Sequence, residues 1–261
     1  MRLGVGELTL ELRHARGETD DHLYAWLSER KAIAVGDFVT WVSPNASNPQ
    51  KVQRFPLDWA QALREMSALG AELPLPAHGL PIAGASRIQR VLADVASGLE
   101  HVVNETLARM NAGETLDTIV HAVRVPAHLL ERPYLQPVYD EPEFLVRNIW
   151  RQYGGWYDGN PANLKPAPAA AFARELQLLA GGIAPIVSRA RALASAGELR
   201  LACQLVELAV QAEPESREAH GARAEIYAAR RKSELSLMAR GIFGSAAEES
   251  AAKSALPERR G

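Results

Sequence analysis

Apolar and polar residues alternate at the start of the chain, and the rhythm then lengthens. Leu8, Leu10 and Leu12 alternate with Thr9, Glu11 and Arg13, the period of two of a half-buried strand. A turn cluster, Gly17 to Asp21, separates this run from His22–Leu27. Ala32–Val35 follows, and Phe38–Val42 continues the strand-like pattern. A loop rich in Asn, Ser and Pro spans 43–50. Leu57–Leu69 has helical spacing, with Trp59, Leu63 and Met66 on one face. Leu73–Ala77 is short and broken by proline, which suits an edge strand ending just before His78. From Ser86 the strand signal disappears. Ile88, Val91, Leu92, Val95, Leu99, Val102, Val103 and Leu107 form one apolar stripe, which predicts a long helix stopped at Gly113. Thr115 then caps a short helix to Val123, a Pro-rich connector covers 126–142, and a helix runs to about Tyr153. Beyond the loop 156–168, Ala/Leu/Arg-rich helices fill 169–247, punctuated by Gly181-Gly182, Gly197 and Pro214.

The reading is α/β first and all-α afterwards. Ala190–Arg230 resembles a single tetratricopeptide-like helical hairpin; one unit is not an array. Residues from 251 onward read as a flexible tail. Composition narrows the function classes. The chain has 261 residues and a formal net charge of -2, which removes the electrostatic reason to expect a nucleic-acid partner. A single cysteine, Cys203, excludes an internal disulfide and a site of several thiolates; mid-helix, it reads as a small core residue. No run of about 20 apolar residues is present to span a bilayer, so a cytoplasmic setting is the default expectation.

Three polar residues stand at strand ends: Glu18, Asp37 and His78. Two carboxylates and an imidazole suit Zn²⁺, Mn²⁺ or Fe²⁺. The alternative is that Glu18 and Asp37 are ordinary turn carboxylates beside glycines. His78 is singled out because it directly follows an apolar strand, where sheets present ligands. His22 reads as structural, and the other histidines carry no signal. No dinucleotide fingerprint, phosphate loop or nucleophile elbow occurs.

Gly17-Glu18-Thr19, Gly36-Asp37 and Pro76-Ala77-His78-Gly79 resemble the last three metal-binding motifs of the metallo-β-lactamase superfamily. More specifically, the run from Tyr153 to Leu164, YGGWYDGNPANL, resembles the hallmark of the alkylsulfatase dimerisation domain of zinc-dependent type III alkylsulfatases. The likeness covers roughly residues 7–240. It implies a partial αββα metallo-β-lactamase half over 1–85, a helical dimerisation domain over 86–250, and the tail 251–261. It also implies zinc, binuclear in a complete site, with Glu18, Asp37 and His78 as ligands. Asp37 would be the bridging carboxylate that orients a metal-bound hydroxide for sulfate-ester hydrolysis, and Arg54 would hold the sulfate. A homodimer through the helices is implied as well.

The chain departs from the family in three ways. Within these 261 residues the motif HxHxDH is absent, no histidine lies between Asp37 and His78, and no segment is expected to form a sterol-carrier-like domain. The expectation is therefore an alkylsulfatase-like hydrolase, incomplete as this chain and joined by an N-terminal half carrying HxHxDH. The competing reading is a non-catalytic dimerisation or assembly module. A tetratricopeptide-like peptide binder over 183–240 ranks last.

Overall fold

The computed structural model describes residues 1–255 and forms two compact units, Met1–Asn160 and Pro161–Gly261. The first holds a five-stranded sheet: β1 Arg2–Val5, β2 Leu8–His14, β3 Leu23–Leu27, β4 Ala32–Gly36 and β5 Leu73–Pro76. Spatial order follows chain order. The first four strands pair antiparallel, and β5 pairs parallel to β4. A parallel pair needs a crossover, and helix α1, Pro56–Ala68, supplies it. Proline at the first turn of α1 costs no hydrogen bond, and Pro74 and Pro76 are tolerated because β5 is an edge strand.

This connectivity gathers three loops. Register pairs His14 with Leu23, Ala25 with Ala34, and Gly36 with Pro76. The ends of β2, β4 and β5 therefore lie together at one end of the sheet, and Glu18, Asp37 and His78 follow those ends.

One strand expectation needs correction. Residues 38–42 form turns and bends rather than a strand. Phe38 and Val39 are both buried, whereas successive strand residues point to opposite faces. The leucine alternation does mark a half-buried strand, β2, but the main core lies on the other face of the sheet. Tyr24, Trp26, Ile33 and Val35 form the face packed with Trp59, Leu63 and Met66 of α1. Leu12 pairs with Ala25 on the opposite face, and Leu8, Leu10 and Leu12 are only half-buried. Strand β1, exposed throughout, was not singled out in the sequence; it joins β2 through a two-residue turn with Gly6 at φ 60°.

The remaining helices of this unit are α2 Ala85–Asn111, α3 Leu116–Ala122, α4 Ala127–Leu130 and α5 Pro142–Gly154. The apolar stripe of α2 is buried within the unit, with α1, α3 and α5 as its neighbours. The sheet-bearing unit consequently extends to residue 160, whereas the sequence-based boundary at 85/86 follows the family segments. Thr115 caps α3 by accepting from Thr118 N at 3.3 Å. The YDGN run docks there: Leu116 N donates to Asp158 O at 3.1 Å, and Trp150 Nε1 donates to Tyr157 O at 3.0 Å. A Cβ on Gly159, at φ +92°, would sit 3.0 Å from Thr115 Cγ2, so a side chain there would be crowded as well as strained.

The second unit comprises α6 Ala169–Ala180, α7 Ile183–Ser195, α8 Leu199–Ala212, α9 Arg217–Ser233 and α10 Leu237–Ala255. Its core is rich in alanine, with Cys203 among the buried residues, and burial pushes that thiol up to about 11. Arg223 donates to Glu207 Oε1 at 2.7 Å and to Ser250 Oγ at 2.7 Å, tying α9 to α8 and α10. The tail expected from 251 is helical as far as Ala255; its last residues, 256–261, lie outside the described ones. No single helix among the described residues is long and apolar enough to cross a membrane.

Candidate functional site

At the gathered strand ends, Asp37 and His78 meet. His78 Nε2 lies 3.3 Å from Asp37 Oδ1, with the imidazole largely exposed. Asp37 Oδ1 is itself buried and receives no hydrogen bond, because the imidazole is within ion-pair distance but not aligned to donate. The His78 turn is held by backbone: Ala77 N donates to Gly36 O at 3.1 Å. Gly79, at φ +104°, has the Trp41 ring on top of it; an added Cβ would fall 1.6 Å from Trp41 Cδ1. Trp41 Nε1 donates to Leu80 O at 3.2 Å, which fixes this aromatic wall beside His78.

Glu18 is near these two but otherwise engaged. Arg54 Nη2 lies 3.2 Å from Glu18 Oε1, Arg54 Nη1 donates to the Glu18 carbonyl, and Asn45 Nδ2 donates to Oε1 at 2.6 Å. Burial raises the Glu18 carboxyl above its ordinary value. Arg54 opposes the rise, Asp37 adds to it, and Asn45 and His78 pull it down. Glu18, Asp37 and His78 therefore share one electrostatic neighbourhood. Even so, no group of three or more His, Cys, Asp or Glu side chains among the described residues is placed to hold a metal ion. Arg54, 4% exposed, reaches Glu18 with its guanidinium rather than open solvent.

His22 is the site residue that sequence reasoning set aside. Its ring stacks on Phe38 at 4.0 Å and meets Trp59 edge-on at 6.4 Å. Gly17 and Gly36 leave room for it: a Cβ on Gly36 would lie 3.1 Å from its Nε2, and one on Gly17 would lie 3.3 Å from its Nδ1. Burial lowers its pKa, with Asp37 and Asp21 acting the other way, and Nδ1 is buried without a partner. The available signal was the pair of glycines closing the loops on either side; spacing alone did not connect them to an imidazole.

The donor set fits part of a metal centre. Asp37 offers a buried oxygen with no hydrogen bond, and His78 offers an imidazole beside it, so two ligands are together. Glu18 would have to exchange its Arg54 and Asn45 contacts to become a third.

Comparison with known proteins adds the family. Residues 115–253 match the alkyl sulfatase dimerisation family. A linear primary-alkylsulfatase of a Pseudomonas species is 26% identical over 226 residues, 85% of this chain and 43% of that protein. An (R)-specific secondary-alkylsulfatase of Pseudomonas is 32% identical over 149 residues, 57% of this chain and 22% of that protein. Among solved structures, the stereoselective inverting sec-alkylsulfatase Pisa1 from Pseudomonas matches with a TM-score of 0.90 and 25% identity, over 100% of this chain and 42% of that one. The chain thus spans less than half the length of these relatives. With the matched segment covering more than half of its residues, including the YDGN loop docked on α3, the chain belongs to the alkyl sulfatase dimerisation family.

Proposed function

We propose that this chain is part of an alkylsulfatase-type hydrolase that cleaves sulfate esters, with Asp37 and His78 as metal ligands and Glu18 as a potential third. The observation that carries the reading is the Asp37–His78 pair at the convergence of three strand ends, in a chain of this family. Of the divalent metals this donor set suits, zinc is the one the family resemblance implies; when bound, it would polarise the ester and supply a nucleophile at neutral pH. Asp37 would position that nucleophile, His78 would hold its place through the Gly79 turn, and Trp41 would screen one side from water. Arg54 acts on this reading by fixing Glu18. A role in gripping the sulfate itself would require it to release that carboxylate.

Two or three ligands hold an ion weakly, so full occupancy needs further ligands from a polypeptide bearing HxHxDH. Residues 1–261 alone should therefore release negligible sulfate from dodecyl sulfate with zinc added. Co-expression with such a partner should restore turnover, and Asp37→Ala should abolish what is restored. Zinc-dependent turnover by residues 1–261 alone, at the completed protein's rate, would overturn the reading.

An assembly role is the second reading, favoured because the family match falls on the helices and not on the sheet. The α2 stripe is covered internally and cannot be the interface. Tyr153 and Trp156 in the first unit, and separately Phe172, Leu178 and Leu179 in the second, are exposed and suit a homodimer contact. Sedimentation showing a monomer at micromolar concentration would refute it.

A further inference from the structure

We propose that the cleft between the turn at 47–49 and helix α5 binds a tetrahedral oxyanion: free sulfate or phosphate, or the head group of a sulfate ester. The cleft encloses about 210 Å³ and includes none of Glu18, Asp37 or His78, so it stands independently of the reading above.

Its chemistry is one-sided. Arg147 and Arg151 are four residues apart on α5, hence on one face, and both line the cleft. Both are exposed, and among the described residues neither guanidinium has a carboxylate within ion-pair distance. Arg151 is nonetheless held in place. Its Nε donates to Gln53 Oε1 at 3.0 Å, and Gln53 Nε2 donates to Asn148 Oδ1 at 3.0 Å. The third donor is Asn48, 8% exposed. Its Oδ1 accepts from Gln50 N at 3.1 Å, which orients the amide, and its Nδ2 has no acceptor among the described residues.

The two amide oxygens that line the cleft already accept hydrogen bonds, while Asp140 Oδ2, behind Ser47, is buried without a partner. Asn148 Oδ1 takes Gln53 Nε2 and Arg54 N, and Ser47 Oγ is turned to Asp140. Asn48 lines the cleft with an amide donor that has no acceptor among the described residues, and the two exposed guanidiniums beside it give the cleft a positive charge. Water can solvate these donors, but an anion would also complement the two positive charges. Two planar forks plus an amide, reaching from helix and turn, suit an anion that accepts on several sides.

The test is calorimetric titration of residues 1–261 with sodium sulfate, sodium phosphate and methyl sulfate at matched ionic strength. Saturable binding of at least one, at one site per chain, is expected, and the preferred ligand distinguishes a free anion from an ester head group. Arg147→Gln and Arg151→Gln should each weaken it on the order of tenfold or more, and the double variant should remove it. Arg147→Lys, which keeps the charge but not the fork, should fall in between. Arg189→Gln, an exposed arginine of the other unit, should bind as the parent does. Absence of saturable binding to all three ligands, or binding unchanged in the double variant, would overturn the proposal.

Discussion

Asn148 clamps the loop that carries Arg54, and Asn148→Ala should loosen the whole candidate site. Asn148 is 4% exposed and makes four hydrogen bonds at once. Its Nδ2 donates to Ala46 O at 3.2 Å and to Arg54 O at 3.1 Å, and its Oδ1 accepts from Arg54 N at 3.3 Å and Gln53 Nε2 at 3.0 Å. In the alanine variant Arg54 O keeps a donor, because Gln53 Nε2 also reaches it at 2.7 Å. Ala46 O and Arg54 N lose the partner. Each orphaned buried group costs roughly 1–3 kcal/mol, and water entering from the neighbouring cleft offsets part of that, so the net loss should be about 2–4 kcal/mol. All five tryptophans lie within the first unit, so their fluorescence follows its unfolding without interference from the second. With a urea slope of about 2 kcal/mol/M, the midpoint should fall by about 1–2 M at unchanged slope. Asn148→Asp, which turns the donor into an acceptor facing two carbonyls, should be at least as damaging near neutral pH. A midpoint shift below about 0.3 M for the alanine variant would refute the clamp.

Other outcomes follow from neighbouring features. Arg54→Ala should destabilise the first unit by about 1–3 kcal/mol, because it leaves the half-buried Glu18 carboxylate without its cation; Arg54→Lys should recover only part, and urea unfolding reads both. Asp140, 2% exposed, is pushed up to about 6 by burial, with the Ser47 and backbone hydrogen bonds opposing. A carboxyl with a raised folded pKa binds protons more readily folded than unfolded, so its contribution weakens as pH rises from about 4 to 6 and is flat above that. Asp140→Asn should remove that slope and be the more stable protein at pH 7.5, measured as thermal midpoints across pH 4–8. Gly79→Ala should displace the Trp41 ring and cost on the order of 1–3 kcal/mol, seen as a shifted tryptophan emission and a lower urea midpoint.

Much of the candidate site was legible in the sequence because its parts are local. A strand, a glycine turn and a polar residue recur at Gly17-Glu18, Gly36-Asp37 and Ala77-His78, and each of these polar residues follows a strand end. Helix α1 and the stripe of α2 follow from apolar spacing, and the loop at YDGN from its glycine and aspartate. These are properties of residues within a few positions of one another, where period and turn chemistry act. The α/β-then-α order follows from the same patterns.

Tertiary structure decided which of those parts meet and what each is free to do. The strand pattern could not show that the leucines of β2 face away from the helices, since alternation specifies two faces but not which one is covered. Nor could it show that Phe38 and Val39 are both buried in a turn. Glu18 and Arg54 are 36 residues apart, and Arg54 and Asn148 are 94 apart; only the folded chain makes them an ion pair and a clamp. His22 became a site residue because two glycines from different loops close on its ring. The cleft at Arg147 and Arg151 likewise depends on Asn48 and Gln53 arriving from a distant loop. Local sequence sets backbone preference and periodicity. Burial, charge pairing and the orphaning of a donor are set by distant neighbours, and those exist only once the chain has folded.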